Sequence, residues 1–326
     1  MSADGNRPPS NPLSQGLYQQ VQPVDHELNA ANIALEASRQ QVLTLKQQLA
    51  HEIAERKRLE QALKESEDRQ RLMADRLRSD LVLAREIQQS LLPPPAPRWP
   101  DLEVACYTQP AFEVGGDFYA YHASTQARVL LNKYILAIGD VSGKGVSAAL
   151  LMATSLSQFD ASLSLKLTPA KLLVYLDQAL LPYTKSRRQN CALCYVELVG
   201  INTVRPMLKA VNAGCIPPYL KHADGSVEWA AIGGFALGQG LGAQMGYQEI
   251  RHLLAKGDMI ILTTDGLVEA SNTRSEMFGF GRLEQAIISG PTSSAAAMLE
   301  HLKTEIATYV GEAEPHDDIT IVVARV

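Results

Sequence analysis

Two textures of apolar and polar positions divide the chain. Between residues 24 and 92 apolar side chains recur in sevens, and there is no Gly, Pro, Phe, Tyr or Trp. One row reads Leu28, Leu35, Val42, Leu49, Arg56, Leu63, Gln70, Leu77, Ala84, Leu91. The row three residues on reads Ala31, Ser38, Leu45, Glu52, Leu59, Ser66, Met73, Asp80, Ile87. Thirteen of these nineteen positions are apolar, which favours a coiled coil over an ordinary amphipathic helix. Eleven acidic and eleven basic residues between 26 and 92 give a charge-balanced surface suited to pairing with a second copy. A lone helix of that length would span about 100 Å, more than one domain could cover, so a homodimer through 26–92 is predicted. The polar, proline-containing stretch 1–25 predicts a disordered tail.

Pro93-Pro94-Pro95 stops the helix, because proline lacks the N–H and clashes with the preceding turn. From 93 to 326 short β-rich runs alternate with helical stretches. Strands are predicted at 102–107, 134–139, 191–199, 206–211, 259–264 and 319–324, and helices at 145–163, 169–183 and 293–310. The mixture predicts an α+β domain with helices covering its sheets.

Composition narrows the function. The formal charge of −5 announces no polyanion-binding surface, so nucleic acid is not an expected partner. No run of eighteen apolar residues predicts a membrane span, and the polar first residues lack the apolar core of a signal peptide. A cytoplasmic location is therefore expected, with Cys106, Cys191, Cys194 and Cys215 reduced. Cys191 and Cys194 form a CxxC, but no second pair completes a zinc site, and the surrounding run reads as a buried strand.

The candidate chemistry lies in carboxylates at strand ends, most of them beside glycines. These are Asp117 in EVGGDF, Asp140 in GDVSGKG, Asp265 in TTDGL, and the pair Asp317-Asp318 before Ile319-Thr320. Each alone reads as readily as an ordinary turn former. Together, without supporting His or Cys, they form a hard oxygen donor set suited to magnesium or manganese. The GDVSGKG loop lacks the spacing of a phosphate-binding P-loop, which argues against an ATPase.

The ordered set of AREIQQSLLP (84–93), EVGGDF, GDVSGKG, Asn212-Ala-Gly214 with Pro217-Pro218, Thr264-Asp-Gly266 with Glu269-Ala270, Phe278-Gly279 and Asp317-Asp-Ile-Thr320 resembles the SpoIIE/RsbU-type branch of the metal-dependent (PPM) protein phosphatases. The resemblance covers about three quarters of the chain. It implies two antiparallel β-sheets packed face to face between helices. It further implies two divalent ions, Mn or Mg, with Asp140 bridging them, the Val141 carbonyl contacting one, Asp265 and Asp317 completing the other shell, and Asp117 acting nearby. Water between the ions would lose a proton near neutral pH and attack the phosphorus of a phosphoserine or phosphothreonine in line. The implied substrate is a phosphorylated partner protein, such as the antagonist of an anti-sigma factor in a partner-switching circuit. The alternative is a catalytically silent scaffold that binds the phosphoprotein. Two positions depart from the family pattern: Cys215 stands where a His often follows Asn-Ala-Gly, and Ala120 where many relatives carry an acid. His122, His222 and His316 are candidate acids for the leaving group.

Overall fold

The computed structural model describes residues 12–126 and 131–326. It divides into two compact units, Met1–Leu77 and Arg78–Val326.

The first unit is helix throughout its described part, within α1 (Pro12–Leu91). The helix thus starts earlier than the sequence suggested. Residues 1–11 of the expected tail lie outside the described residues, and 12–25 are helical. Proline is well placed as the first helical residue, where its missing N–H costs no bond, and the Leu- and Gln-rich stretch behind it favours helix. The heptad residues are uncovered in the single chain: Leu45 is 57% exposed, Leu59 65% and Met73 76%. The division after Leu77, where the sequence placed a boundary at Leu92, reflects side chains near the helix end that are buried within the second unit, Gln88 among them.

The second unit is a four-layer sandwich. Its strands are β1 (Glu103–Gln109), β2 (Phe118–Gln126), β3 (Leu131–Val141), β4 (Cys191–Val199), β5 (Met207–Ala213), β6 (Tyr219–Lys221), β7 (Val227–Trp229), β8 (Glu249–Leu253), β9 (Met259–Thr263) and β10 (Ile319–Arg325). They form two five-stranded sheets, ordered β1-β10-β9-β6-β7 and β2-β3-β4-β5-β8, with every pair antiparallel. The outer layers include α2 (Val146–Leu163) and α3 (Pro169–Thr184) on the second sheet, and α6 (Gly279–Ser289) and α7 (Ala295–Val310) on the first. Two single-turn helices, α4 (Gly242–Met245) and α5 (Gly266–Glu269), complete the set.

Strand alternation builds three apolar layers from one chain. In β3, Tyr134, Leu136 and Ile138 face the opposite sheet, while Ile135 and Ala137 face α2 and α3. In β10, Val322 and Ala324 join the inter-sheet layer, and Ile321 and Val323 pack under α7. The same period sends Cys194 between the sheets and Cys191 under the helices. The two thiols of the CxxC therefore sit on opposite faces of β4, where they pack as small apolar groups.

The sequence left β2, β6, β7, β8 and α6 unassigned. The β6 and β7 strands are three residues each, too short to show a period, and β8 is a polar edge. What holds these pieces is tertiary. The buried Lys221 of β6 donates to the carbonyls of Ile287, Ile288 and Gly290 at 2.7, 2.9 and 2.6 Å, capping the C-terminal end of α6 with an ammonium. Asp177 of α3 is fully buried and accepts from the backbone N–H groups of Gly238, Gln239, Gly240 and Gly242 at 2.7–3.0 Å, which organises the loop before α4.

His222 follows β6 and lies 3.3 Å from both Asp258 and Glu228, with His252 also 3.5 Å from Glu228. Burial draws the His222 pKa down, but the hydrogen bonds and charges of Asp258 and Glu228 outweigh it, and the net shift is upward. Its charged form is thus preferred in the folded state. That stabilisation is fully present below the ordinary histidine value and is lost as pH rises through the raised folded value. The difference in urea midpoint between the native chain and His222→Gln should shrink from pH about 6 to about 8; a constant difference would show that the imidazole charge contributes nothing.

Candidate active site

Register places the carboxylates. Phe118 at the start of β2 pairs with Gly139 near the end of β3, so Asp117 and Asp140 emerge at the same edge of one sheet. In the other sheet Ile321 near the start of β10 pairs with Thr263 at the end of β9, and the Thr264 N–H bonds the Thr320 carbonyl, so Asp265 and Asp317 emerge together. Packing the sheets face to face brings both edges into one cleft. All four acids expected from the sequence are thereby assembled, with Val141, the last residue of β3, beside them.

The cluster is electrostatically strained. Burial raises the pKa of Asp140 to about 7, and the nearby charges of Asp265, Asp317 and Asp318 push the same way. Asp117, only 6% exposed, is raised well above the usual carboxylate range by burial first and by Asp140 second, although hydrogen bonds from Thr264 and Thr320 oppose this. Asp265 is raised by burial and by Asp317, and Glu269 by burial and by Asp265 and Asp317. The counter-charge facing them is Lys144, 3.3 Å from Asp317. The lysine of the P-loop-like segment thus pairs with a carboxylate. Among the described residues, no group of three His, Cys, Asp or Glu side chains converges on a single ion position. The donor set is therefore one of hard, mutually repelling oxygens spread over a cleft, which fits hydrated divalent cations held by one or two carboxylates each.

Two residues that position the cluster escaped the sequence analysis or were underrated by it. Thr264 donates its hydroxyl to Asp117 Oδ2 at 2.7 Å and accepts from the Thr320 N–H at 3.0 Å, tying the acid of one sheet to the strands of the other. Asp318, the second acid of the pair, is buried and turned away from its neighbour. Its Oδ1 accepts from the Ala111 N–H at 2.8 Å and its Oδ2 from the Gly116 N–H at 2.6 Å. A run of Asp-Asp does not reveal which member is structural; the inward phase of β10 does.

The glycines before Asp117 answer to close approach. A Cβ on Gly115 would lie 2.3 Å from Asp318 Oδ2, and one on Gly116 would lie 2.6 Å from the Val141 carbonyl oxygen. Asn212 closes the turn of the Asn-Ala-Gly motif: its side chain accepts from the Cys215 N–H and donates to the Cys215 and Ile232 carbonyls. Cys215 lines a pocket of about 210 Å³ with Asp140, Asp265, Thr264, Trp229 and Phe280. Ala120 is buried in the layer under α2 and α3. Of the three histidines, His222 pairs with Asp258 and Glu228. His122 is sensed by Asp160. His316 offers its backbone carbonyl to Lys144 beside Asp317.

Two antiparallel sheets flanked by helices, with an acidic cleft along one edge, define the PP2C-type phosphatase fold. The domain overlays the SiaA-PP2C domain of Pseudomonas aeruginosa with a TM-score of 0.63 at 24% identity, over 77% of this chain and 98% of that one. It also overlays RsbX, whose crystal structure is in complex with magnesium, with a TM-score of 0.51 at 14% identity, over 71% and 98%. The family model for Stage II sporulation protein E (SpoIIE) matches residues 132–326, and the chain belongs to that family. Phosphoserine phosphatase RsbU of Bacillus subtilis is 26% identical over 253 residues, spanning 76% of this chain and 70% of the relative.

The two adjacent acids should part in mutagenesis. Asp318→Asn turns an amide N–H₂ toward one of two backbone donors and should cost about 2 kcal/mol in urea unfolding. Asp317→Asn removes a charge from a repelling cluster and should leave stability unchanged or raised. Equal losses from both would refute the division of roles.

Proposed function

We propose that the chain is a metal-dependent protein serine/threonine phosphatase that removes phosphate from phosphoserine or phosphothreonine of a partner protein, a regulatory antagonist in a partner-switching pathway of the cytoplasm. The observation that carries this reading is the assembly of Asp117, Asp140, Asp265 and Asp317 from two sheets into one cleft, where burial and the neighbouring acid charges push the carboxyls of Asp117, Asp140 and Asp265 upward. Such a set is stable as carboxylates only beside positive charge, and Lys144 is one cation against several acids. Two divalent ions, Mn or Mg, would supply that charge together with a water acidic enough to attack phosphorus near neutral pH.

In this reading Asp140, Asp265, Asp317 and the Val141 carbonyl would hold the two ions, and Asp117, oriented by Thr264, would act beside them through hydrogen-bonded water. Lys144 keeps Asp317 in place from the rim. Trp229 (37% exposed) and Phe280 (47% exposed) border the carboxylates with ring centroids 5.5 Å apart. Such apolar surface suits a polypeptide around the phosphorylated residue better than a free phosphate ester. The name of RsbU, a phosphoserine phosphatase, supports the same substrate chemistry. None of the described helices is long and apolar enough to cross a membrane, which accords with a partner in the aqueous phase.

The heptad face of α1 is the proposed dimer seam. Leu45, Leu49, Leu59 and Leu63 are each more than half exposed in the single chain, and pairing with a second copy would cover them.

Asp140→Asn should abolish hydrolysis of a phosphopeptide and weaken calorimetric Mn²⁺ binding while the circular dichroism spectrum is preserved, because a neutral amide cannot balance two cations. Turnover at the native rate would remove Asp140 from the mechanism. The full chain should sediment as a dimer at micromolar concentration and Leu49→Asp/Leu59→Asp as a monomer; a native chain that is already monomeric would sink the seam.

A further inference from the structure

We infer that Gln88, near the end of α1, is a positioning residue for the phosphatase reaction: it fixes the Gly115 backbone, and through it Gly116, Asp117 and the Val141 carbonyl. The inference rests on the functional reading above.

Gln88 is 9% exposed. Its Nε2 donates to the Gly115 carbonyl at 2.7 Å, and its Oε1 accepts from the Gly115 N–H at 3.1 Å. One side-chain amide therefore satisfies both polar groups of one residue, as a neighbouring strand would. Two bonds to the same residue fix its rotation as well as its position. The neighbouring Gln89 and Ser90 are exposed, so this is a property of one position in the AREIQQSLLP segment.

The need for such a clamp follows from the glycines. Gly115 and Gly116 lack side chains because Asp318 and the Val141 carbonyl oxygen occupy the space that a Cβ would take. The same lack gives this stretch wide backbone freedom. Freedom there is costly, since Asp117 is the next residue and Val141 lies against Gly116. Gln88 and Asp318 remove it from two sides: the amide holds Gly115, and the carboxylate holds the N–H of Gly116 at 2.6 Å. The four groups are in direct contact, so a displacement of Gly115 has nothing soft to absorb it before it reaches the cleft. A misplacement on the order of 1 Å at a reacting site can cost up to about a hundredfold in rate.

The test is Gln88→Glu in the full chain. The substitution keeps size and the acceptor but sets an oxygen against the Gly115 carbonyl. The kcat on p-nitrophenyl phosphate should fall about tenfold or more with KM little changed. The calorimetric Mn²⁺ dissociation constant should rise, and hydrogen exchange of the 113–117 amides should quicken. Leu302→Ala serves as the stability control, because Leu302 is buried in the apolar layer beneath α7, which includes neither Gln88 nor Gly115. At matched loss of melting temperature it should keep native kcat and metal affinity. Native kcat, affinity and exchange in Gln88→Glu would overturn the inference, as would equal losses in the two variants. A native chain that neither hydrolyses phosphate esters nor binds Mn²⁺ would instead refute the phosphatase reading. In that event native exchange at 113–117 in Gln88→Glu would still refute the clamp.

Discussion

The constraint on which this domain depends is the repulsion among carboxylates gathered at one edge of a sandwich. Two acids come from each sheet, and burial together with mutual charge lifts Asp117, Asp140 and Asp265 out of the usual carboxylate range. A polypeptide would relax this by letting the strand ends splay. Here they are prevented from splaying by bonds that run from one sheet to the other. Thr264 reaches Asp117, and Asp318 reaches Gly116. These contacts use neutral donors, so they hold the acids without cancelling their charge. The cleft remains a region of high negative potential on a rigid frame, and that combination suits divalent cations.

The rest of the sandwich serves to keep that edge stiff. The inter-sheet layer is lined by aliphatic and aromatic side chains, and the strands that bear Asp140, Asp265 and Asp317, namely β3, β9 and β10, lie inside their sheets, while Asp117 leads into the edge strand β2. Peripheral pieces are secured by buried charges that bond to backbone: Lys221 to the end of α6, and Asp177 to the loop before α4. Each is a fully satisfied polar group, the condition under which burial of charge is tolerated.

Much of this was legible in the sequence, and the boundary of legibility is physical. The acids Asp117, Asp140, Asp265 and Asp317 stood out because each borders an apolar run, and the first three adjoin a glycine, a local signal. The central strands were readable because short apolar runs that include β-branched or aromatic residues mark them. Asp318 as a clamp, Thr264 as a link and Gln88 as a backbone partner were not readable, since each acts on a residue distant along the chain: Asp318 on Gly116, Thr264 on Asp117, Gln88 on Gly115. The short strands β6 and β7 were hidden because three residues display no period. The stretch 12–25 misled because Pro and polar residues weigh toward coil locally, whereas a helix that is already formed extends at little cost once nucleated.

The placement of the cysteines has a consequence for how the molecule opens. Cys106 and Cys194 lie between the two sheets, and Cys191 lies under α2 and α3; burial raises each thiol to about 12. None is a reactive thiolate while the layers stay together. Alkylation at each position then becomes a clock for a different seam. Modification of Cys106 and Cys194 records the parting of the sheets, and modification of Cys191 records the lifting of the helices, so the order in which the sandwich comes apart is written in which sulfur reacts first.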